Sequence, residues 1–321
     1  MTDQRNESIP SYLTLYENKA LDHRIQQLYS ILESCELCPR KCQVNRLRGE
    51  RGVCKAGRDL MVTSYHPHFG EEEPLVGKRR FTLSGIMGRT RGGSGTIFLT
   101  HCNLLCVYCQ NYGISHLGSG HQVTPAIVAR MMLSLQNQGC HNINFVTPTH
   151  FAPHLVDATH IAIGEGLILP LIWNCSGYEN VEIIKLLDGI VDIYMPDIKY
   201  SQREPAKKYS NAPDYFERCK EALLEMHRQV GDLKLASDGI AYRGLLIRHL
   251  ILPNDLAGSE QILRFISHNL STNSYVNIMF QYRPEGKAYT HQELNRRPTR
   301  HEFSQVVKTA VNLGLNRGLN I

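Results

Sequence analysis

The chain has 321 residues, 42% of them apolar and 20% charged, enough to bury an ordinary core in a barrel-type domain with a small accessory module or in two domains. Its net charge of +5 permits an acidic partner or a nucleic acid without arguing for either. The opening stretch MTDQRNESIPSYLTLYENK lacks the apolar core of a secretory signal, and the longest apolar run, 161–175, is broken by Gly164, Glu165, Gly166 and Pro170. It falls short of the roughly 20 residues that span a bilayer, so no membrane span is expected and a cytoplasmic location is.

In chain order, Leu21, Ile25, Leu28, Tyr29 and Leu32 recur every three or four residues and predict an amphipathic helix. A Cys-rich stretch follows over 35–54, too polar to form much core. Residues 65–95, with HPHFGEEEP and the Gly-rich GRTRGGSG, read as loops, the first a solvated one. From Gly95 the pattern turns regular. A buried strand ends at Cys102, and a helix follows over 125–138. Strands over 142–148, 169–176, 191–199, 244–252 and 275–282 each precede a helix, at 153–163, 181–187, 215–230, 259–268 and 301–313. Six strand–helix units of this kind argue for a parallel sheet. The fold class expected is α/β, a partial (β/α)6 TIM-type barrel, with a doubly wound sheet as the alternative. The domains expected are a helical, Cys-rich module over 1–64 and the barrel over 65–321.

In a cytosolic setting, clustered cysteines read as metal ligands or catalytic groups. Seven of the ten cysteines form two clusters; Cys140, Cys175 and Cys219 are scattered. Cys102, Cys106 and Cys109 have the spacing C-x3-C-x2-C on a loop just after a strand, at the barrel face where active sites are built. Three thiolates can hold three irons of a cubane cluster and leave the fourth open, as a catalytic metal site requires. The alternative is zinc, with a further ligand such as His101. Cys35, Cys38, Cys42 and Cys54 form a four-thiolate set that can close around zinc or an iron–sulfur cluster.

C-x3-C-x2-C with an aromatic residue, Tyr108, before its last cysteine resembles the signature of the radical S-adenosylmethionine (SAM) superfamily. The wider run GSGTIFLTHCNLLCVYCQNYGIS resembles the pyruvate formate-lyase-activating-enzyme-like branch. Within it the chain is similar to a group with an N-terminal C-x2-C-P-x2-C element, here Cys35 to Cys42. The resemblance runs from about Tyr16 to about Leu315. It implies a [4Fe-4S] cluster whose open iron is chelated by SAM. One-electron cleavage then yields a 5'-deoxyadenosyl radical that takes hydrogen from a substrate. A protein substrate is implied, a glycyl radical enzyme among the candidates, together with an electron donor such as flavodoxin or ferredoxin; a small-molecule substrate or the modification of a peptide is the alternative.

By the same resemblance, Tyr108 presents backbone to the adenine, and the turn Thr147-Pro148-Thr149-His150 takes the place of a Gly-Gly-Glu motif that holds the SAM amino group. Asn174 and Ser176 match a polar strand end. Asp197 and Lys199 match an Asp-x-Lys element, with Lys199 facing the SAM carboxylate, and Arg248 matches a segment that reaches the ribose. His249 reads equally as a core histidine. Two readings of other classes remain: a zinc-bearing RNA-binding protein built on the basic N-terminal knuckle, and a passive iron–sulfur electron carrier.

Overall fold

The computed structural model describes residues 9–77 and 92–319; the first half of GRTRGGSG lies outside them. The N-terminal helices are α1 (Tyr12–Glu17) and α2 (Ala20–Ser30), and the Cys-rich stretch follows. Then come strand β1 (Leu60–His68), short helix α3 (Glu73–Val76), β2 (Ser94–Leu99), α4 (Tyr112–Ser115), β3 (His121–Val123) and α5 (Pro125–Asn137). The chain continues through β4 (Ile143–Val146), α6 (Ala152–Gly164), β5 (Leu171–Cys175), α7 (Val181–Leu186), β6 (Ile193–Pro196), α8 (Arg203–Ser210) and α9 (Tyr215–Val230). It finishes with β7 (Lys234–Leu235), β8 (Ala241–Leu250), α10 (Ser259–Phe265), β9 (Tyr275–Met279) and α11 (Arg300–Asn312).

Strands β2, β4, β5, β6, β8 and β9 pair in that order, all parallel, and form an arc that does not close among the described residues. This is the expected partial barrel. One departure is β1, which runs from the end of the expected Cys-rich module into the region read as loops and pairs antiparallel with β2 and with β3, extending the sheet at its first edge. Its sequence LMVTSYHPH is rich in extended-chain formers, but His-Pro-His and the acidic run beyond it mask that signal. No helix among the described residues is long and apolar enough to cross a membrane.

Local rules account for the helices. Pro125 opens α5 behind Thr124, whose hydroxyl accepts from the Ile127 amide, and Thr299 with Glu302 forms a capping box on α11. In α9 the buried residues Tyr215, Cys219, Ala222, Leu223, Met226 and Val230 make one apolar stripe.

The strands are buried on both faces, and their period of two sorts side chains into an outer and an inner layer. Leu171, Trp173, Tyr194, Leu245 and Ile247 join the large core beneath the helices. Ile172, Ile193, Met195 and Leu246 point inward and pack with Leu75 of α3, which closes the base of the barrel. The next inward positions along the same strands, Asn174, Asp197 and Arg248, are polar and border a cavity above this apolar floor. Replacing Leu75, which is wholly buried, by alanine should cost about 2–5 kcal/mol of stability in a denaturant titration. A loss below about 1 kcal/mol would show that the floor is not packed as described.

Candidate active site

Beyond β2 the chain turns sharply into the Cys102–Cys109 loop. His101 and Leu105 both adopt positive φ (66° and 55°), a conformation that non-glycine residues hold only when their surroundings impose it. Each of the three sulfurs already has a donor beside it. The Leu104 amide lies 3.4 Å from Cys102 Sγ, the Ser210 hydroxyl 3.1 Å from Cys106 Sγ, and the Ser115 hydroxyl 3.2 Å from Cys109 Sγ. Hydrogen bonds of this kind accompany metal-bound thiolates and tune them. All three cysteines border the cavity of about 1050 Å³, as does Tyr108, whose ring packs edge-on against Tyr200 and Tyr282.

No three His, Cys, Asp or Glu side chains among the described residues converge so as to hold one metal ion. Cys175 also borders the cavity, but the anionic groups it senses are Glu179, Asp197 and Cys219, not the loop thiols.

A buried ion network borders the same cavity. Asp197 accepts from Lys199 Nζ at 2.7 Å and from Arg248 Nε at 2.9 Å. Arg248 also donates to Asn174 Oδ1 at 2.7 Å and to Glu71 Oε2 at 3.3 Å. Burial opposes the charge on Asp197, but Arg248 and Lys199 outweigh it and hold the carboxyl below the usual range. For Lys199 the order is the same: burial works against the ammonium, while Asp197 and then Cys106 raise its pKa on balance. Burial raises Glu71, with Arg248 opposing. The Cys102 thiol is pushed up to about 12 by burial and then by Cys106, so thiolate here depends on a bound cation.

The site departs from expectation at two places. Of the turn after β4, only Thr147 borders the cavity. Pro148 starts a short 3-10 turn that carries the next side chains behind the strand ends. The Thr149 hydroxyl donates to buried Glu179 at 2.7 Å, and His150 Nε2 bonds the Thr100 carbonyl at 2.7 Å, its imidazole pushed down to about 3 by burial. Pro148, Thr149 and His150 therefore do not border the cavity. The second departure is HPHFGEEEP, read as a solvated loop. Its His68, Glu71 and Glu72 border the cavity, where Glu71 takes bonds from Arg248 and Asn144, and Glu72 one from Asn277. Asn174, Ser176, Asp197, Lys199 and Arg248 all border the cavity.

The N-terminal cysteines lie on the outer side of the loop. Cys35, Cys38 and Cys54 are buried, and the Val53 amide points at Cys42 Sγ at 3.4 Å. Amides of Arg40 and Ala56 bond the sulfurs of Cys38 and Cys54. Lys41, Gln43 and Lys55 adopt positive φ, and a Cβ on Gly52 would sit 2.7 Å from Cys42 Sγ. Such tight turns, with amides aimed at sulfur, fit a metal-binding knuckle.

Glu179, which sequence reasoning passed over, is 1% exposed, and burial lifts its carboxyl up to about 8, with Thr149, Cys175 and Trp173 opposing. Between the ordinary carboxylate pKa and about 8 the folded chain retains a proton that the unfolded chain has released. Stability from this group is therefore greatest at low pH and falls as pH rises, by at most about 1.4 kcal/mol per unit. Glu179→Gln should remove that slope: measured by urea denaturation from about pH 5 to about pH 8, it should gain on the wild type by up to about 4 kcal/mol. A pH-independent difference would place the carboxylate in contact with water.

A family model for the radical SAM superfamily matches residues 96–242. An uncharacterized protein of Methanocaldococcus jannaschii is 32% identical over 306 residues, which is 92% of this chain and 80% of that protein. Among solved structures, HydG, a maturase of the [FeFe]-hydrogenase, superposes with a TM-score of 0.50 at 13% identity over 72% of this chain and 51% of its own. A radical SAM methyltransferase from Sphaerobacter thermophilus gives 0.46 at 13% identity over 69% of this chain and 65% of its own. The chain thus spans about half to just under two-thirds of these two solved structures. The HydG likeness supports the fold alone. With a relative of this closeness along nearly its full length, and the superfamily's own pattern over the parallel sheet, the chain belongs to the radical SAM superfamily.

Proposed function

We propose that this chain is an enzyme that cleaves SAM reductively at a [4Fe-4S] cluster held by Cys102, Cys106 and Cys109. The products are methionine and a 5'-deoxyadenosyl radical, which takes a hydrogen atom from a substrate. The superfamily implies both cofactors. The observation that carries the reading is that three thiols, each with a hydrogen-bond donor at its sulfur, border the same cavity of about 1050 Å³ as Lys199 and Arg248. The bound cluster would supply one electron and an open coordination site.

The chain's own residues supply the rest. Lys199, held by Asp197, offers a fixed cation for the SAM carboxylate. Arg248, Asn174, Ser176 and Thr147 offer polar contacts along the cavity, and Tyr108 flanks the adenine side. Leu75 and the apolar side chains packed with it close the cavity below. A passive electron carrier has no use for such a space, and no feature of the site favours RNA.

The finer assignment is the pyruvate formate-lyase-activating-enzyme-like branch, with a 1–64 module and a 65–321 barrel. The substrate is then a protein, either a glycyl radical enzyme awaiting activation or another target of modification. Flavodoxin or ferredoxin would supply the electron in the cytoplasm. For Cys35, Cys38, Cys42 and Cys54 an iron–sulfur cluster is preferred to zinc, because a chain that carries one cluster is already served by cluster-assembly machinery.

The test is anaerobic reconstitution with iron and sulfide, then reduction in the presence of SAM and chromatographic assay for 5'-deoxyadenosine. The wild type should form it and Cys106→Ala should not rise above the protein-free background. Equal formation by both would overturn the reading.

A further inference from the structure

The N-terminal four-cysteine module does not merely neighbour the catalytic loop; two arginines of the module hold it. Arg40 lies between Cys38 and Cys42. Its guanidinium gathers four carbonyl oxygens: Asn103 at 3.1 Å, Leu104 at 3.3 Å, Ser210 at 2.7 Å, and Asn211. The first two belong to the loop between Cys102 and Cys106. The others end α8, whose Ser210 hydroxyl donates to Cys106 Sγ. The guanidinium also lies over the Tyr178 ring, 5.1 Å from its centroid.

Arg46 forms the second arm. It is 1% exposed and donates to the Gly57 carbonyl at 2.9 and 2.6 Å and to the His150 carbonyl at 2.6 Å. His150 in turn bonds the carbonyl of Thr100, two residues before Cys102. A cation this deeply buried needs a counter-charge. Among the described residues no carboxylate pairs with Arg46, whereas Cys54 lies close enough to feel its charge. Metal-bound thiolates in the module would supply the missing anion.

We propose that the N-terminal module is a metal-dependent clamp on the catalytic loop, with Arg40 and Arg46 as positioning residues. Metal in the module holds the two arginines where they fix the backbone around Cys102 and Cys106. The clamp rests on the reading of both thiol sets as metal sites. It assigns the N-terminal metal a role in retaining the catalytic cluster, whatever the substrate.

The test uses reconstituted full-length protein and follows loss of the catalytic cluster by absorbance and electron paramagnetic resonance under EDTA. Arg40→Ala should lose it about tenfold faster than the wild type, a scale typical of outer-sphere support, and Cys38→Ser should do likewise. Arg40→Lys should behave as Arg40→Ala, because one ammonium cannot reach four carbonyls. Arg24→Ala is the control: Arg24 also donates to carbonyls, those of Lys185 and Leu186, but far from the loop, so it should behave as wild type. In a background lacking Cys102, Cys106 and Cys109, Arg40→Ala should leave the N-terminal metal content unchanged. A wild-type rate of loss in Arg40→Ala, or equal acceleration in Arg24→Ala, overturns the clamp alone. Equal iron in the wild type and in the variant lacking Cys102, Cys106 and Cys109 overturns the cluster reading and the clamp with it.

Discussion

Asp197 sits between Lys199 and Arg248 in a space with little water, and the architecture of the site hangs on that pairing. The regular ladder between β6 and β8 covers only Ile193↔Gly244 and Tyr194↔Leu245, and the strands meet again at an isolated bridge, Asp197↔Arg248. The ion pair thus fastens a sheet that has begun to open. Removing Asp197 would leave the buried Lys199 ammonium without its carboxylate, at a cost of about 3–5 kcal/mol. Arg248 carries the constraint on to β5 through Asn174 and to the chain beyond β1 through Glu71. Gly177, at φ 74°, packs so closely that a Cβ there would collide with the Asp197 carbonyl.

From this fastening the site builds outward. Inward positions change from apolar to polar at one level, where Ile172 gives way to Asn174, Met195 to Asp197 and Leu246 to Arg248. Below that level side chains fill the barrel; above it lies space for a ligand. The three-cysteine loop closes the space from the β2 side, and Arg40, from another part of the chain, donates to its Asn103 and Leu104 carbonyls. His101 and Leu105, on either side of those carbonyls, hold positive φ.

Much of this was legible from residue order. Six strand–helix units and the three-cysteine loop follow from spacing and periodicity alone, which act locally. What escaped was long-range. His150 resembles a ligand by position, yet the backbone turn at Pro148 sends it into a buried contact with Thr100. The acidic run at Glu71 reads as solvated until Asn144, Asn277 and Arg248 are seen to meet it across more than 70 residues. Glu179 follows Gly177 in an unremarkable turn, and only packing against Thr149 marks it as a carboxyl kept out of water.

The central claim is that the three loop thiols leave one iron open to SAM. Electron–nuclear double resonance on the reduced, reconstituted protein with SAM labelled in its amino nitrogen and carboxylate tests it directly. Hyperfine coupling from both labels to the cluster is the predicted result. Bound SAM with no coupling from either label would show that the open iron is not where SAM binds, and would contradict the account.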